Sequence, residues 1–91
     1  MTNLRCEVAE GLRQAEVSIT VTEFDGRLQY FPLDRGLVSR IDNRNTIPVR
    51  VIQRDDEADA FLVSLPVEAD SGTHRIWVRA GHLEQVKELA R

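Results

Sequence analysis

A run of alternating residues over positions 16–22 constrains the fold of this chain more than any other feature. Polar residues there alternate with the apolar residues Val17, Ile19 and Val21. Successive side chains of a β-strand point to opposite faces, so this pattern predicts a strand with one buried face. β-Branched residues also favour strands. The strand continues to Phe24, and Asp25-Gly26 then predicts a two-residue hairpin turn into a second strand over 27–33.

Three further strands follow from similar patterns. Apolar runs over 47–53 and 60–66 flank the acidic stretch 55–59, which predicts a second hairpin with a polar tip. The turn residues Asp70-Ser71-Gly72 precede a last strand over 73–79.

The two ends and the longest loop leave more choice. Residues 3–13 suit a strand because Leu4, Cys6 and Val8 alternate, and a helix is the alternative, which Gly11 weakens. Residues 82–91 show helical spacing and predict a short C-terminal helix. Within the loop 34–46, one helical turn could cover an open end of the sheet.

These elements predict a mainly β fold in a single domain covering residues 1–91. A chain of 91 residues can bury one modest core. Five or six short antiparallel strands cannot bury both faces of a flat sheet. The economical arrangement is a small five- to six-stranded antiparallel barrel, SH3-like or related, with the short C-terminal helix beside it.

Composition bounds the location and the redox chemistry. The chain has one cysteine, Cys6, which cannot close an internal disulfide. The sequence shows no basic segment followed by an apolar run, and no apolar stretch approaches 18 residues. We therefore expect a cytoplasmic protein that neither crosses nor binds a membrane.

Candidate catalytic and metal-binding residues are weak. His74, His82 and Cys6 include no closely spaced pair of zinc ligands. The acidic stretch 55–59 lacks the glycine and terminal glutamate of a calcium loop. Ser71 lies near an aspartate and a histidine, but triads are assembled from distant segments. We expect no enzyme activity, no metal site and no cofactor.

The charges are unevenly distributed along the chain. Residues 27–54 carry six arginines and two aspartates, whereas residues 55–70 carry six acids and no base. The two blocks could neutralise one another, or the basic block could bind nucleic acid. The nucleic-acid face would consist of Arg27, Arg40, Arg44 and Arg50.

The last strand contains the most specific local pattern. Alternation places Ile76 and Val78 on one face and Arg75, Trp77 and Arg79 on the other. An outward tryptophan between two arginines is typical of a binding hot spot. The alternative is that Trp77 caps one end of the barrel beneath the C-terminal helix.

The stretch Leu65-Pro66-Val67-Glu68-Ala69-Asp70-Ser71-Gly72, followed by Arg75-Ile76-Trp77-Val78, resembles one in short bacterial β-domain proteins of unknown function. These proteins also resemble this chain at the apolar-Pro-Val segment Ile47-Pro48-Val49. The resemblance implies a compact β domain, and it brings no known activity, cofactor or catalytic residue to this chain.

Together these patterns favour a noncatalytic interaction module. It would bind a protein or peptide through Trp77, Arg75 and Arg79, and the partner could be a second copy, giving a homodimer. The alternative is a small barrel that binds nucleic acid through its arginines.

Overall fold

The computed structural model describes residues 2–85, which form nine β-strands and two short 3-10 turns. The turns are Arg35–Leu37 and Ala80–His82. The strands are β1 (Thr2–Arg5), β2 (Glu7–Glu10), β3 (Glu16–Thr22), β4 (Leu28–Asp34), β5 (Ser39–Ile41), β6 (Arg44–Asp55), β7 (Ala60–Ser64), β8 (Arg75–Arg79) and β9 (Leu83–Gln85). No helix in this part of the chain is long and apolar enough to cross a membrane.

The strands form two antiparallel sheets, which confirms the mainly β prediction. One sheet has the order β8-β7-β6-β1-β9, with β5 also paired to β6. The other has the order β2-β3-β4. Strand β6 is 12 residues long and pairs with β1, β5 and β7 along different parts of its length.

The two sheets do not close into the predicted barrel. Three backbone hydrogen bonds link them: from Cys6 N to Asn45 O at 3.0 Å, from Phe24 N to Trp77 O at 2.7 Å and from Asp70 N, between β7 and β8, to Tyr30 O of β4 at 2.8 Å. These isolated hydrogen bonds do not form a continuous ladder between strands of the two sheets, so the sheets remain separate.

The core lies between the sheets and follows the predicted alternation. Val17, Ile19 and Val21 of β3 are buried, as are Ile76 and Val78 of β8. The remaining buried apolar residues come from both sheets: Leu4, Phe31, Leu33, Ile47, Ala60, Val63, Leu65 and Ala69. Burial of these side chains is the main favourable contribution to the stability of the fold.

The turns are partly as predicted. The β3–β4 hairpin forms, but its turn is a three-residue loop closed by hydrogen bonds from Glu23 N to Arg27 O and from Gly26 N to Glu23 O. Gly26 has a φ of 92°, as the last loop position of such hairpins requires. The predictions of a two-residue turn and of a strand that continues to Phe24 are therefore wrong. A hairpin not predicted joins β5 to β6 through Asp42 and Asn43, both at positive φ.

Strand pairing also determines the secondary structure of the N-terminal and C-terminal segments. Strands β1 and β2 lie on either side of Cys6, so the strand interpretation of the N-terminal segment is confirmed up to Glu10, although residues 11–13 are not in a strand. The helix alternative is wrong. The predicted C-terminal helix over 82–91 is wrong at its start, because Leu83–Gln85 is strand β9. Leu83 pairs with Leu4 and packs against the core, which satisfies the free edge of β1. Residues 86–91 lie outside the described part.

Candidate interaction face

Strand β8 directs Trp77 away from the core, as its alternation predicts. Ile76 is 2% exposed and Val78 is fully buried, while Arg75 and Arg79 are exposed. Trp77 is half-buried and lies opposite Leu62 of β7. Trp77 is therefore not part of the core between the sheets.

Three cross-strand rows build the surface around Trp77. Strands β6, β7 and β8 contribute one residue each to every row, and the pairing register defines the rows. The rows are Arg50–Ser64–Arg75, Gln53–Leu62–Trp77 and Asp55–Ala60–Arg79. We call the central part of this surface the Trp77 face and define it by Arg50, Leu62, Ser64, Arg75, Trp77 and Arg79.

Phe24 holds one corner of the Trp77 face in place. The central guanidinium carbon of Arg79 lies 4.7 Å from the centroid of the Phe24 ring. This distance is within the range of a cation–π contact. The backbone N–H of Phe24 also donates to the carbonyl of Trp77, so the loop after β3 lies along the outer edge of β8.

A cavity of about 370 Å³ opens at the end of the Trp77 face away from Phe24. Arg50, Ser64 and Arg75 line it together with Val51 and Ile52 of β6. Val51 is 38% exposed and Ile52 is 42% exposed, next to a β-bulge between Val51 and Gln53. The residues around the cavity are therefore two arginines, a serine and two exposed apolar residues.

The four arginines predicted to bind nucleic acid do not form one face. Arg27 lies at the β3–β4 turn, and its guanidinium is 3.7 Å from the Asp25 carboxylate. Arg40 pairs with Asn45, whereas Arg44 pairs with Ile41, so their side chains point to opposite faces of the β5–β6 hairpin. Arg50 instead joins the Trp77 face. Nucleic-acid binding stays an untested prediction.

The acidic stretch after β6 forms an exposed hairpin tip. The Asp55 carboxylate accepts hydrogen bonds from the backbone N–H groups of Glu57 and Ala58, at 3.1 and 3.2 Å. Asp56 forms an ion pair with Arg54 at 2.6 Å. Among the residues of known placement, no group of three or more potential ligands could hold a metal ion.

Ser71, considered above as a nucleophile, has a hydrogen-bonding partner, and Cys6, considered above as a metal ligand, is partly buried. The Ser71 hydroxyl donates to the side-chain carbonyl of the buried Gln29 at 2.7 Å. Burial, with a smaller contribution from the neighbouring Glu7 charge, raises the pKa of the Cys6 thiol from 9.0 to about 11. Since the thiolate is the reactive form, this cysteine is a poor nucleophile near neutral pH.

The sequence singled out Trp77 and its flanking arginines as a candidate site but did not indicate that Phe24, Leu62 and Ser64 lie beside them. Alternation within β7 does indicate that Leu62 and Ser64 share a face. Their positions beside Trp77 and Arg75 depend on the register between β7 and β8.

Comparisons with protein-family models, with curated proteins and with solved structures find no significant match to this chain. The resemblance of residues 65–78 to short bacterial β proteins therefore stays a prediction.

Proposed function

We propose that this chain is a noncatalytic interaction module that binds a protein or peptide on the Trp77 face. The observation that carries the proposal is the position of Trp77, half-buried and directed away from the core between the exposed Arg75 and Arg79. Binding energy at protein interfaces is concentrated in a few central residues, among which tryptophan and arginine are enriched.

The surroundings of Trp77 support this proposal. Leu62 extends the apolar centre of the face, and Arg50, Arg75 and Arg79 form a polar, charged border. An apolar centre with a polar rim is the usual anatomy of a protein interface. Trp77 needs no large rearrangement to meet a partner, because its strand is held by β7 on one side and by Phe24 on the other.

The small-barrel architecture belongs to the same proposal. The bonds from Cys6 to Asn45 and from Phe24 to Trp77 join the two sheets at separate places, as in a partly open barrel of the SH3-like or related kind. Such an arrangement would expose the β6–β8 surface and bury the opposite face of the same strands.

Truncating Trp77 tests the proposal. The immobilised chain is used to capture soluble proteins of the cells that produce it, and sedimentation velocity measures whether the chain associates with itself. We expect Trp77→Ala to remove the captured species or the self-association. The matched control is Tyr30→Ala, because Tyr30 is an aromatic residue that is 48% exposed on β4 of the other sheet.

The control variant should capture and associate like the original chain. Equal capture and equal self-association by the original chain and Trp77→Ala would overturn the proposal. Circular dichroism of both variants would establish that the difference does not come from loss of the fold.

A further inference from the structure

We infer that the partner is an acidic, extended peptide segment and that Arg50, Ser64 and Arg75 hold one of its carboxylates. This inference rests on the proposed function, since it names the partner chemistry of the Trp77 face. It also assigns the first cross-strand row of that face as an oxyanion site.

The geometry of the row suits a carboxylate. Ser64 pairs with Arg50 on one side and with Arg75 on the other, so all three side chains leave the same face of the sheet. Neighbouring strands lie about 4.8 Å apart, which places the Cα atoms of Arg50 and Arg75 about 10 Å from one another. Arg50, Ser64 and Arg75 all line the cavity of about 370 Å³, and the register places Ser64 between the two arginines.

The charges of the row lack counterions within residues 2–85. The ion pairs found there involve four other arginines: Arg5, Arg27, Arg35 and Arg54. No ion pair or side-chain hydrogen bond in this part of the chain involves Arg50 or Arg75. Arginine presents a planar fork of donors that matches a carboxylate, so two guanidinium groups beside one hydroxyl favour an anionic ligand.

A third arginine of the face, Arg79, lies at the other end of β8. The Arg79 guanidinium is stacked on Phe24, and no ion pair within the described residues involves it. The one acid in the rows, Asp55, already accepts two backbone hydrogen bonds at its hairpin turn. The face therefore carries a net positive charge that complements an acidic partner.

The spacing along β8 indicates the pattern of the partner segment. Arg75, Trp77 and Arg79 are two residues apart, about 6.6 Å for each step of an extended strand. An extended peptide running along β8 presents alternate side chains at the same spacing. It would contact these three residues with an acid, an apolar residue and a second acid, each separated by one residue.

Two synthetic peptides test this inference. The first has the sequence Ser-Asp-Ser-Ile-Ser-Asp-Ser with blocked ends, and the second has asparagine in place of both aspartates. Neither contains an aromatic residue, so the emission of the only tryptophan of the chain reports binding directly. We expect the acidic peptide to bind at least about tenfold more tightly, since charge-assisted hydrogen bonds are the stronger kind. Its affinity should fall with added salt.

Variants of the chain locate the carboxylate. Arg75→Gln should weaken binding of the acidic peptide by about tenfold and leave binding of the asparagine peptide unchanged. Arg40→Gln is the matched control, because Arg40 is an exposed arginine on the β5–β6 hairpin. It should change neither affinity. Thermal unfolding of both variants would show that each retains the fold.

Equal affinity for the two peptides, or equal loss in Arg75→Gln and Arg40→Gln, would overturn the inference. Inorganic phosphate that binds as tightly as the acidic peptide would also overturn it, because the row would then hold a free oxyanion. If Trp77→Ala abolishes capture or self-association while the two peptides bind equally, the acidic-partner inference fails and the proposed function stands. Unchanged capture and self-association in Trp77→Ala overturns the proposed function itself.

Discussion

The guanidinium group of Arg79 lies over the ring of Phe24, with its central carbon 4.7 Å from the ring centroid. Phe24 belongs to the loop after β3 in the three-stranded sheet, whereas Arg79 ends β8 in the other sheet. The backbone N–H of Phe24 donates to Trp77 O, two residues before Arg79. This contact therefore joins the two sheets at the border of the Trp77 face.

We expect Phe24 and Arg79 to be energetically coupled. In a double-mutant cycle of Phe24→Leu and Arg79→Gln, the coupling free energy should be about 0.5–1 kcal/mol, the range of a partly exposed cation–π contact. Urea unfolding of the four proteins measures it. A parallel cycle with Arg75→Gln in place of Arg79→Gln should be additive. Additivity in both cycles would mean that the stacked pair contributes nothing to stability.

Trp77 should be partly accessible and should contribute little to stability. Its emission should be red-shifted relative to a buried tryptophan and should be quenched by acrylamide. Trp77→Ala should lower the free energy of unfolding by about 1 kcal/mol, whereas Ile76→Ala on the core face should cost about 2–5 kcal/mol. Blue-shifted, unquenched emission and an unfolded Trp77→Ala variant would place Trp77 in the core.

Ser71 should matter for stability because of its bond to Gln29. Gln29 is 5% exposed, and its side-chain carbonyl accepts from the Ser71 hydroxyl at 2.7 Å. Ser71→Ala removes that donor from a buried acceptor and should cost about 1–3 kcal/mol in urea unfolding. Ser39→Ala is the control, since this serine is exposed on β5, and it should change stability by less than about 0.5 kcal/mol. Equal effects would contradict the structural role of Ser71.

Alanine should lower the stability of the fold at Gly72 but not at Gly81. Gly72 has a φ of 92°, which disfavours a side chain, so Gly72→Ala should destabilise by about 1–2 kcal/mol. A Cβ at Gly81 would have no heavy atom within 4 Å, and this glycine does not have positive φ. Gly81→Ala should therefore be neutral or stabilise by up to about 1 kcal/mol through the unfolded state. Thermal unfolding compares them, and a stabilised Gly72→Ala variant would contradict the turn geometry.

The Cys6 thiol should react slowly in the folded protein. Burial raises its pKa to about 11, so at pH 9 about one thiol in a hundred is ionised. Alkylation by iodoacetamide at pH 9 should be tens of times slower in the native chain than in guanidinium, and the native rate should rise up to about pH 11. Equal native and denatured rates would show an accessible thiol.

The raised pKa of Cys6 also makes the free energy of unfolding depend on pH. The fold favours the neutral thiol, so the contribution of Cys6 to the free energy of unfolding is fully present below pH 9 and is lost as the pH rises through about 11. Urea unfolding at pH 8 and pH 11 measures the decrease in the free energy of unfolding between these pH values. The decrease should be smaller for Cys6→Ser than for the original chain, because the variant has no thiol to ionise.

The sequence by itself determined most of the strands of this protein and which of their faces are buried. The alternation of β3 and β8, and therefore the outward position of Trp77, could be predicted because the period of a strand is a property of the chain. The positions of the turns after β3 and before β8 followed from the turn residues Gly26 and Gly72, both at positive φ. These features depend on residues close together in the chain.

Only the tertiary structure decided which strands are neighbours. Residues 83–85 belong to the segment 82–91, whose spacing is helical, but they form β9 because the edge of β1 offers hydrogen-bonding partners and Leu83 can pack against the core. Arg50 lies beside Ser64 and Arg75, and Phe24 beside Arg79, because of the register between strands and the meeting of two sheets. Local propensity cannot specify these contacts, since the free energy that selects them comes from burying a shared core and pairing distant backbone groups.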